Sequence, residues 1–204
     1  MIKSIIFDLG RVIVPIDFSL AYARVERLSG IPAASIPARI ASSGLVEQFE
    51  SGRISPRDFA SALSRHLGFE ASYKEFCDLW NSIFLPEPLI PESLLAALAA
   101  RYRLVLLSNT NAIHFEMIRE NYPLLRYFQS FVLSYEVGAM KPEPAIYRCA
   151  IRESGCLPAE CFFTDDIGAY IEAAKGQGID AVQFLSARQI ENELRARGVT
   201  WATS

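Results

Sequence analysis

Short apolar runs alternate with helical patterns along much of this chain, and this alternation limits the folds that it can adopt. The apolar runs typical of strands are 2–7, 103–107, 131–133, 161–164 and 181–184. Helical patterns lie before, between and after the last four runs, at 94–100, 112–121, 145–154, 169–177 and 187–197. Strands that alternate with helices are typical of βαβ units, in which the strands are parallel. We therefore predict an α/β fold, a Rossmann-like parallel sheet with helices on both faces.

Residues 17–90 depart from this alternation. Their helical patterns lie at about 18–29, 35–43, 56–67 and 72–84. Glycine and proline separate these patterns, and no long strand-like run occurs among them. We predict that residues 17–90 form a small helical cap domain, inserted after the first strand. Residues 1–16 and 91–204 then form the core domain.

Composition excludes several classes of function. The 204 residues are 51% hydrophobic, which suffices for one domain with a modest insertion, and the formal net charge is -3. Lysine and arginine are scattered, so neither nucleic acid nor an anionic membrane is an expected partner. No apolar stretch reaches the length of a membrane span, and the pattern of a signal peptide is missing. The four cysteines lack metal-ligand spacing, and we expect a cytoplasmic protein with reduced thiols.

Polar residues follow the ends of several predicted strands. Asp8 follows the first run, Ser108 follows the second, and Asp165 and Asp166 follow the fourth. Lys141 lies in the loop beyond the third run. Because ligands bind beyond the carboxyl ends of parallel strands, these side chains are expected to converge. Together they indicate a metal-assisted site for phosphoryl transfer.

Each of these residues alone has a more ordinary interpretation. Asp8 could cap a turn, Ser108 could bond within its loop, and Lys141 could be solvated. An adjacent acidic pair such as Asp165 and Asp166 frequently caps the next helix. Their coincidence at the ends of three predicted strands and in the loop beyond a fourth favours the functional interpretation.

Four motifs in this order resemble those of the haloacid dehalogenase superfamily of hydrolases, and they extend over nearly the whole chain. They are IIFDLGRVIV at 5–14, LLSNTN at 106–111, GAMKPEPAIY at 138–147 and FFTDD at 162–166. Within the superfamily, PIDF at 15–18 and two cap segments, FESGRIS at 49–55 and LWNSIF at 79–84, most resemble the sugar-1-phosphate (α-D-glucose-1-phosphate) phosphatase branch. The helical block then corresponds to the small cap of the superfamily.

The resemblance implies a nucleophile and a metal site. Asp8 would attack phosphorus and form an aspartyl-phosphate that water then hydrolyses. Mg²⁺ would be held by the Asp8 carboxylate, the Gly10 backbone carbonyl, and Asp166 with help from Asp165. An all-oxygen set of this kind suits Mg²⁺.

The resemblance also implies a phosphate site. Ser108 and the backbone N–H of Asn109 would bind phosphate oxygens. Lys141 would neutralise the charge of the phosphate and of the nucleophile, which is the main task of a protein in phosphoryl transfer.

Two positions depart from the pattern of the superfamily. Most of its phosphatases carry a second aspartate, a general acid and base, where this chain has Gly10, although the sugar-1-phosphate branch also has glycine there. Asp17 could replace that carboxylate, or it could serve as a polar residue at the cap hinge. Tyr170 stands where an asparagine often organises the acidic loop. For Arg11 the sequence does not distinguish a contact with substrate from a solvent-exposed side chain.

The sequence thus predicts a Mg²⁺-dependent phosphatase for a small phosphorylated metabolite, with a sugar phosphate as the expected substrate. A catalytically weak relative that binds phosphate or serves a regulatory role is the alternative, and Gly10 and Tyr170 support it. A 2-haloacid dehalogenase is disfavoured, since that branch replaces the acidic pair with small polar residues. The two histidines, His66 and His114, have no ligand partners at suitable spacing, so we expect them to be structural or exposed.

Overall fold

Five parallel strands form one sheet in the order β3-β2-β1-β4-β5. The structure is a computed structural model and describes residues 1–202. The strands are β1 (Ser4–Phe7), β2 (Arg103–Ser108), β3 (Ser130–Leu133), β4 (Cys161–Asp165) and β5 (Asp180–Gln183). In the centre of the sheet, Phe7 pairs with Leu106 on one side and Thr164 on the other. The predicted parallel α/β sheet is confirmed.

The helices follow the chain order around this sheet. They are α1 (Phe18–Ser29), α2 (Ile36–Ser43), α3 (Leu45–Glu50), α4 (Pro56–His66), α5 (Tyr73–Trp80), α6 (Glu92–Ala99), α7 (Ala112–Asn121), α8 (Ser134–Val137), α9 (Pro144–Ser154), α10 (Gly168–Lys175) and α11 (Ala187–Ala196). Within residues 1–202, none of them is both long and apolar enough to cross a membrane.

Both faces of the sheet are buried, because successive residues of each strand point to opposite sides. Phe7 belongs to a cluster that α6, α7 and α11 cover, whereas its neighbour Ile6 belongs to a cluster that α9 and α10 cover. Strands buried on both faces are apolar along their whole length. The continuous apolar runs of the sequence follow from this, and the predicted helices on both faces are confirmed.

Helices α1–α5 form the insertion between β1 and α6, and they enclose an apolar cluster to which the core contributes Ile113 of α7. The helical insertion after the first strand was predicted, but α3 was not. The pattern predicted to run to residue 84 ends as a helix at Trp80 and continues in a short 3-10 turn. The domain boundaries at 16/17 and 90/91 stay a prediction, which the separate apolar cluster supports.

His114 of α7 connects the core to this cap. Its ring stacks on Trp80 with centroids 5.2 Å apart and meets the edge of Phe84 at 4.8 Å. One ring nitrogen lies 3.1 Å from the Trp80 carbonyl oxygen. Burial lowers the pKa of His114 to about 4. His114 is therefore a neutral, buried residue of the junction between cap and core.

This burial predicts that His114 destabilises the protein in acid. The unfolded chain binds a proton near pH 6.5, whereas the folded chain does so only near pH 4, so stability is lost as the pH falls between these values. Relative to a His114→Gln variant, the wild type should lose about 2 kcal/mol of unfolding free energy between about pH 7 and about pH 5. Urea unfolding at both values tests this. Parallel pH dependences in the two proteins would show that His114 is not buried in the neutral form.

Candidate active site

Asp8 leaves the sheet directly from its central strand. Its backbone N–H donates to the Thr164 carbonyl over 3.0 Å and so extends the pairing of β1 with β4 by one residue. The chain then turns tightly: the N–H of Val14 donates to the Leu9 carbonyl over 2.9 Å, and that of Arg11 donates to the Val14 carbonyl over 2.7 Å. Arg11 takes a φ of 59° to make this turn. The turn holds the buried Asp8 carboxylate at the carboxyl edge of the sheet.

The ammonium of Lys141 lies between two buried carboxylates. It donates to Asp8 Oδ1 over 2.6 Å, to Asp165 Oδ2 over 2.5 Å and to the Leu107 carbonyl over 3.3 Å. Asn109 holds the Lys141 backbone in place, because its side chain accepts from the N–H over 2.8 Å and donates to the carbonyl over 2.9 Å. The ends of β1, β2 and β4 thus meet around one cation.

The charges at this edge do not balance. Burial raises the pKa of Asp8 to about 7, although the charge of Lys141 opposes the shift. Burial alone would lower the pKa of Lys141, but the carboxylates of Asp8 and Asp165 outweigh this effect and raise it. Burial and the charge of Asp165 also raise the pKa of Asp166. One ammonium among three carboxylates leaves an excess of negative charge.

This excess suits a divalent cation. Asp8, Asp165 and Asp166 each offer a carboxylate oxygen, and these oxygens lie within 4.8 Å of one another. Carboxylate oxygens are the ligands that Mg²⁺ prefers in proteins. The exposed guanidinium of Arg11 lies 3.9 Å from Asp166, a surface pair that contributes little. The residues present therefore fit Mg²⁺.

Ser108 and Asn109 lie beside this cluster, at the end of β2. The buried Ser108 hydroxyl donates one long hydrogen bond, 3.4 Å, to the Asn109 carbonyl. The next residue, Thr110, exchanges two 3.0 Å hydrogen bonds with the Ser134 hydroxyl, one through its N–H and one through its carbonyl. The loop is fixed, and the geometry leaves the Ser108 hydroxyl suited to a further acceptor such as a phosphate oxygen.

Asp17 lies outside this cluster and caps α1. Its carboxylate accepts from the Ser19 N–H over 2.9 Å and from the Ser19 hydroxyl over 2.6 Å. These hydrogen bonds hold the pKa of Asp17 below its ordinary value. A carboxylate in this state is a poor proton donor near neutral pH. Of the two sequence interpretations, the structure agrees with the polar residue at the start of the cap.

Tyr170 is compatible with an ordered acidic loop. Asp165 Oδ1 accepts the Ile167 N–H over 2.8 Å, so the backbone of the loop fixes this carboxylate. The Tyr170 ring centroid lies 5.2 Å from the Lys141 ammonium, and the Asn109 amide approaches its hydroxyl at 3.5 Å. The Tyr170 ring therefore lies beside the Lys141 ammonium.

A cavity of about 270 Å³ extends from this edge of the core into the cap. From the core, Gly10, Ser108 and Asn109 line it, and most of the cap side chains around it are apolar. Glu50 is a polar exception from the cap. Glu50 belongs to the cap segment at 49–55 that resembles the sugar-1-phosphate branch, but no role was predicted for it, because the six residues of α3 are too few for a helical period to orient them.

Comparisons with known proteins agree with this architecture. The family described as haloacid dehalogenase-like hydrolase matches residues 2–178. D-ribitol-5-phosphate phosphatase of Bacteroides thetaiotaomicron is 32% identical over 189 residues, which are 90% of this chain and 92% of that protein. A phosphatase of Mycobacterium tuberculosis is 25% identical and covers 88% of this chain and 86% of its own length.

Solved structures show the same fold. A haloacid dehalogenase family enzyme of Bacteroides thetaiotaomicron, in complex with magnesium and inorganic phosphate, is 29% identical with a TM-score of 0.80. The match covers 91% of this chain and 96% of that one. L-2-haloacid dehalogenase of Xanthobacter autotrophicus, 21% identical, shares the fold with a TM-score of 0.63 over 98% of this chain and 85% of its own. By sequence and by structure, this chain belongs to the haloacid dehalogenase-like hydrolase family.

Proposed function

We propose that the protein is a Mg²⁺-dependent phosphatase that hydrolyses small phosphorylated metabolites through an aspartyl-phosphate on Asp8. The observation that carries this proposal is the Asp8 carboxylate, buried at the end of the central strand and 2.6 Å from the Lys141 ammonium. The carboxylates of Asp165 and Asp166 beside it distinguish a phosphatase from a dehalogenase, which attacks carbon and needs no metal. Two curated relatives bear the name phosphatase.

The side chains divide the work of phosphoryl transfer. The Asp8 oxygen that does not contact Lys141 attacks phosphorus, and the alcohol leaves from the opposite side. Ser108 and the N–H of Asn109 bind the oxygens of the phosphoryl group. Lys141 neutralises charge on the nucleophile throughout and so holds it close to an anionic substrate.

Asp8, Asp166 and the Gly10 backbone carbonyl would hold Mg²⁺, with help from Asp165. The ion would supply positive charge to the carboxylates and to the transferring phosphoryl group. Support comes from the excess of negative charge at this edge and from the relative whose structure contains magnesium and phosphate.

The substrate is a sugar phosphate or a sugar-alcohol phosphate. The relative named D-ribitol-5-phosphate phosphatase supports a sugar alcohol, whereas the cap segments 49–55 and 79–84 resemble the sugar-1-phosphate branch. A cavity of about 270 Å³ suits a small leaving group. The cap side chains that line this cavity are mostly apolar. Aromatic phosphate esters are therefore worth comparing with sugar phosphates as substrates.

The test is steady-state hydrolysis of ribitol 5-phosphate, glucose 1-phosphate, phenyl phosphate and 4-nitrophenyl phosphate, with Mg²⁺ and with a chelator. We expect turnover with Mg²⁺ that the chelator abolishes and added Mg²⁺ restores. The ranking of ribitol 5-phosphate against glucose 1-phosphate decides between the two substrate classes. A folded, Mg²⁺-loaded protein that hydrolyses none of these esters would contradict the proposal and favour a relative that only binds phosphate.

A further inference from the structure

The position of Gly10 raises the question of which group supplies the proton for the leaving alcohol. A Cβ atom added at Gly10 would lie 2.7 Å from the terminal Cδ1 of Ile16. An apolar side chain therefore occupies the direction in which a side chain at residue 10 would extend. An alkoxide is a poor leaving group without a proton, and general acid catalysis contributes about 10²–10⁴-fold.

Glu50 offers a carboxyl group from the cap to the lining of the cavity that Gly10 also lines. It is the last residue of α3 and lines the cavity together with Gly10, Ser108 and Asn109. Among residues 1–202, no hydrogen bond contributes to the pKa of the Glu50 carboxyl group. A partly buried acid without a protein partner, facing a ligand cavity, is suited to contact the ligand.

The end of α3 is fixed against the core, which places Glu50 reproducibly. Gly52 has a φ of 72°, and a Cβ atom there would collide with the Tyr135 carbonyl of α8. Such a close approach of two backbones requires glycine. On the other side, Phe49 is buried and stacks on Phe59 with centroids 4.2 Å apart. Glu50 therefore lies between two rigid contacts.

The charged groups around Glu50 are those of the reaction site. Burial raises the pKa of Glu50 to about 7, the positive charge of Lys141 opposes this shift, and the negative charge of Asp8 adds to it. Glu50 in turn acts on the pKa of Tyr170, which lies beside Lys141. A carboxyl that titrates near neutral pH can both donate and accept a proton there.

We propose that Glu50 is the general acid and base of this phosphatase and replaces, from the cap, the carboxylate that Gly10 lacks. This inference rests on the proposed function. In the first step an Asp8 oxygen forms its bond to phosphorus while the bond to the leaving oxygen breaks, and the Glu50 proton moves to that oxygen. In the second step Glu50 accepts a proton from water as the water oxygen attacks phosphorus, and the bond to Asp8 breaks. Phosphate leaves, and Asp8 and Glu50 return to their initial states.

The test compares Glu50→Gln with wild type on two esters. We expect kcat/KM for ribitol 5-phosphate to fall about 10²–10⁴-fold, since an alkoxide needs the proton. For 4-nitrophenyl phosphate, kcat/KM should change by less than about tenfold, because nitrophenolate leaves without a proton. Glu47→Gln is the matched control: Glu47 belongs to the same helix, is exposed, and pairs with Arg53 at 2.7 Å. It should leave both values unchanged.

Two further measurements separate a proton transfer from a structural effect. The kcat/KM of the wild type on ribitol 5-phosphate should decline on the basic side of its pH profile, and Glu50→Gln should lack this decline. Since the second step also needs the base, the variant should release a burst of nitrophenol and accumulate phosphorylated protein, visible by mass spectrometry.

The outcomes distinguish this inference from the proposed function. If the wild type hydrolyses no ester, the phosphatase proposal itself fails. If the wild type is active but Glu50→Gln lowers kcat/KM for both esters equally, or for neither, the assignment of Glu50 is overturned while the phosphatase stands. A retained burst of nitrophenol also shows directly that the variant is folded.

Discussion

Replacing Asp8 with asparagine is expected to abolish hydrolysis of every phosphate ester, with a loss on the order of 10⁴-fold or more in kcat. The amide keeps the shape of the carboxylate but removes the nucleophile, so no aspartyl-phosphate can form. Glu50 does not compensate, because proton transfer assists a bond to phosphorus that this variant cannot make. Steady-state assays with Mg²⁺ on 4-nitrophenyl phosphate give the least demanding measure, since its leaving group needs no proton.

The same variant also separates chemistry from folding. Asp8 is buried, and burial raises its pKa, so the charged form is disfavoured there and a neutral amide should be tolerated. We therefore expect Asp8→Asn to unfold near the wild-type temperature. Asp180→Asn is the control, because that carboxylate pairs with Arg197 through bonds of 2.7 and 3.0 Å. If the Asp8→Asn variant hydrolysed esters nearly as fast as the Asp180→Asn variant, Asp8 would be excluded as the nucleophile.

The sheet could be predicted from the sequence because its strands are buried on both faces. Such strands are continuous apolar runs, and the runs at 103–107 and 161–164 end within a residue of the observed strands. Helix α3 could not be found in this way. It has six residues between Gly44 and Ser51, too few for a period of 3.6 to appear, and the neighbouring glycines favoured a loop.

The residues of the site also differ in how well the sequence predicts their positions. Asp8, Ser108 and Asp165 follow strands whose order in a parallel sheet brings their ends together, so the sequence alone predicts their convergence. Glu50 and His114 depend instead on how the cap docks. That docking rests on tertiary contacts such as the stacking of His114 on Trp80, which no pattern within one helix encodes.

Replacing Lys141 with methionine is expected to reduce the unfolding free energy by about 3–5 kcal/mol near neutral pH in the absence of Mg²⁺. Lys141 is the cation in contact with both buried carboxylates, at 2.6 Å from Asp8 and 2.5 Å from Asp165. Methionine fills much of the space of lysine but leaves two like charges in a medium that solvates them poorly. Turnover should be lost as well.

Chemical unfolding with and without Mg²⁺, at two pH values, tests the electrostatic origin of this loss. Burial raises the pKa of Asp8 to about 7 even beside Lys141, and without the ammonium this pKa should rise further. Above about pH 7 the folded variant then binds more protons than the folded wild type, so its deficit should shrink as the pH falls from about 9 to about 7. Millimolar Mg²⁺ should also reduce the deficit, since it supplies positive charge to the same oxygens.

Lys175→Met is the matched control for Lys141→Met. Lys175 is half exposed and pairs with Glu172 at 2.8 Å on the surface of α10, so its loss should change stability by no more than about 0.5 kcal/mol. If the unfolding free energy of Lys141→Met fell as little as that of Lys175→Met, or fell by the same amount at every pH and Mg²⁺ concentration, the role of Lys141 would be steric and not electrostatic. The expected difference between these lysines follows from burial alone: the same charge is nearly neutral for stability at the surface and indispensable where it separates two carboxylates.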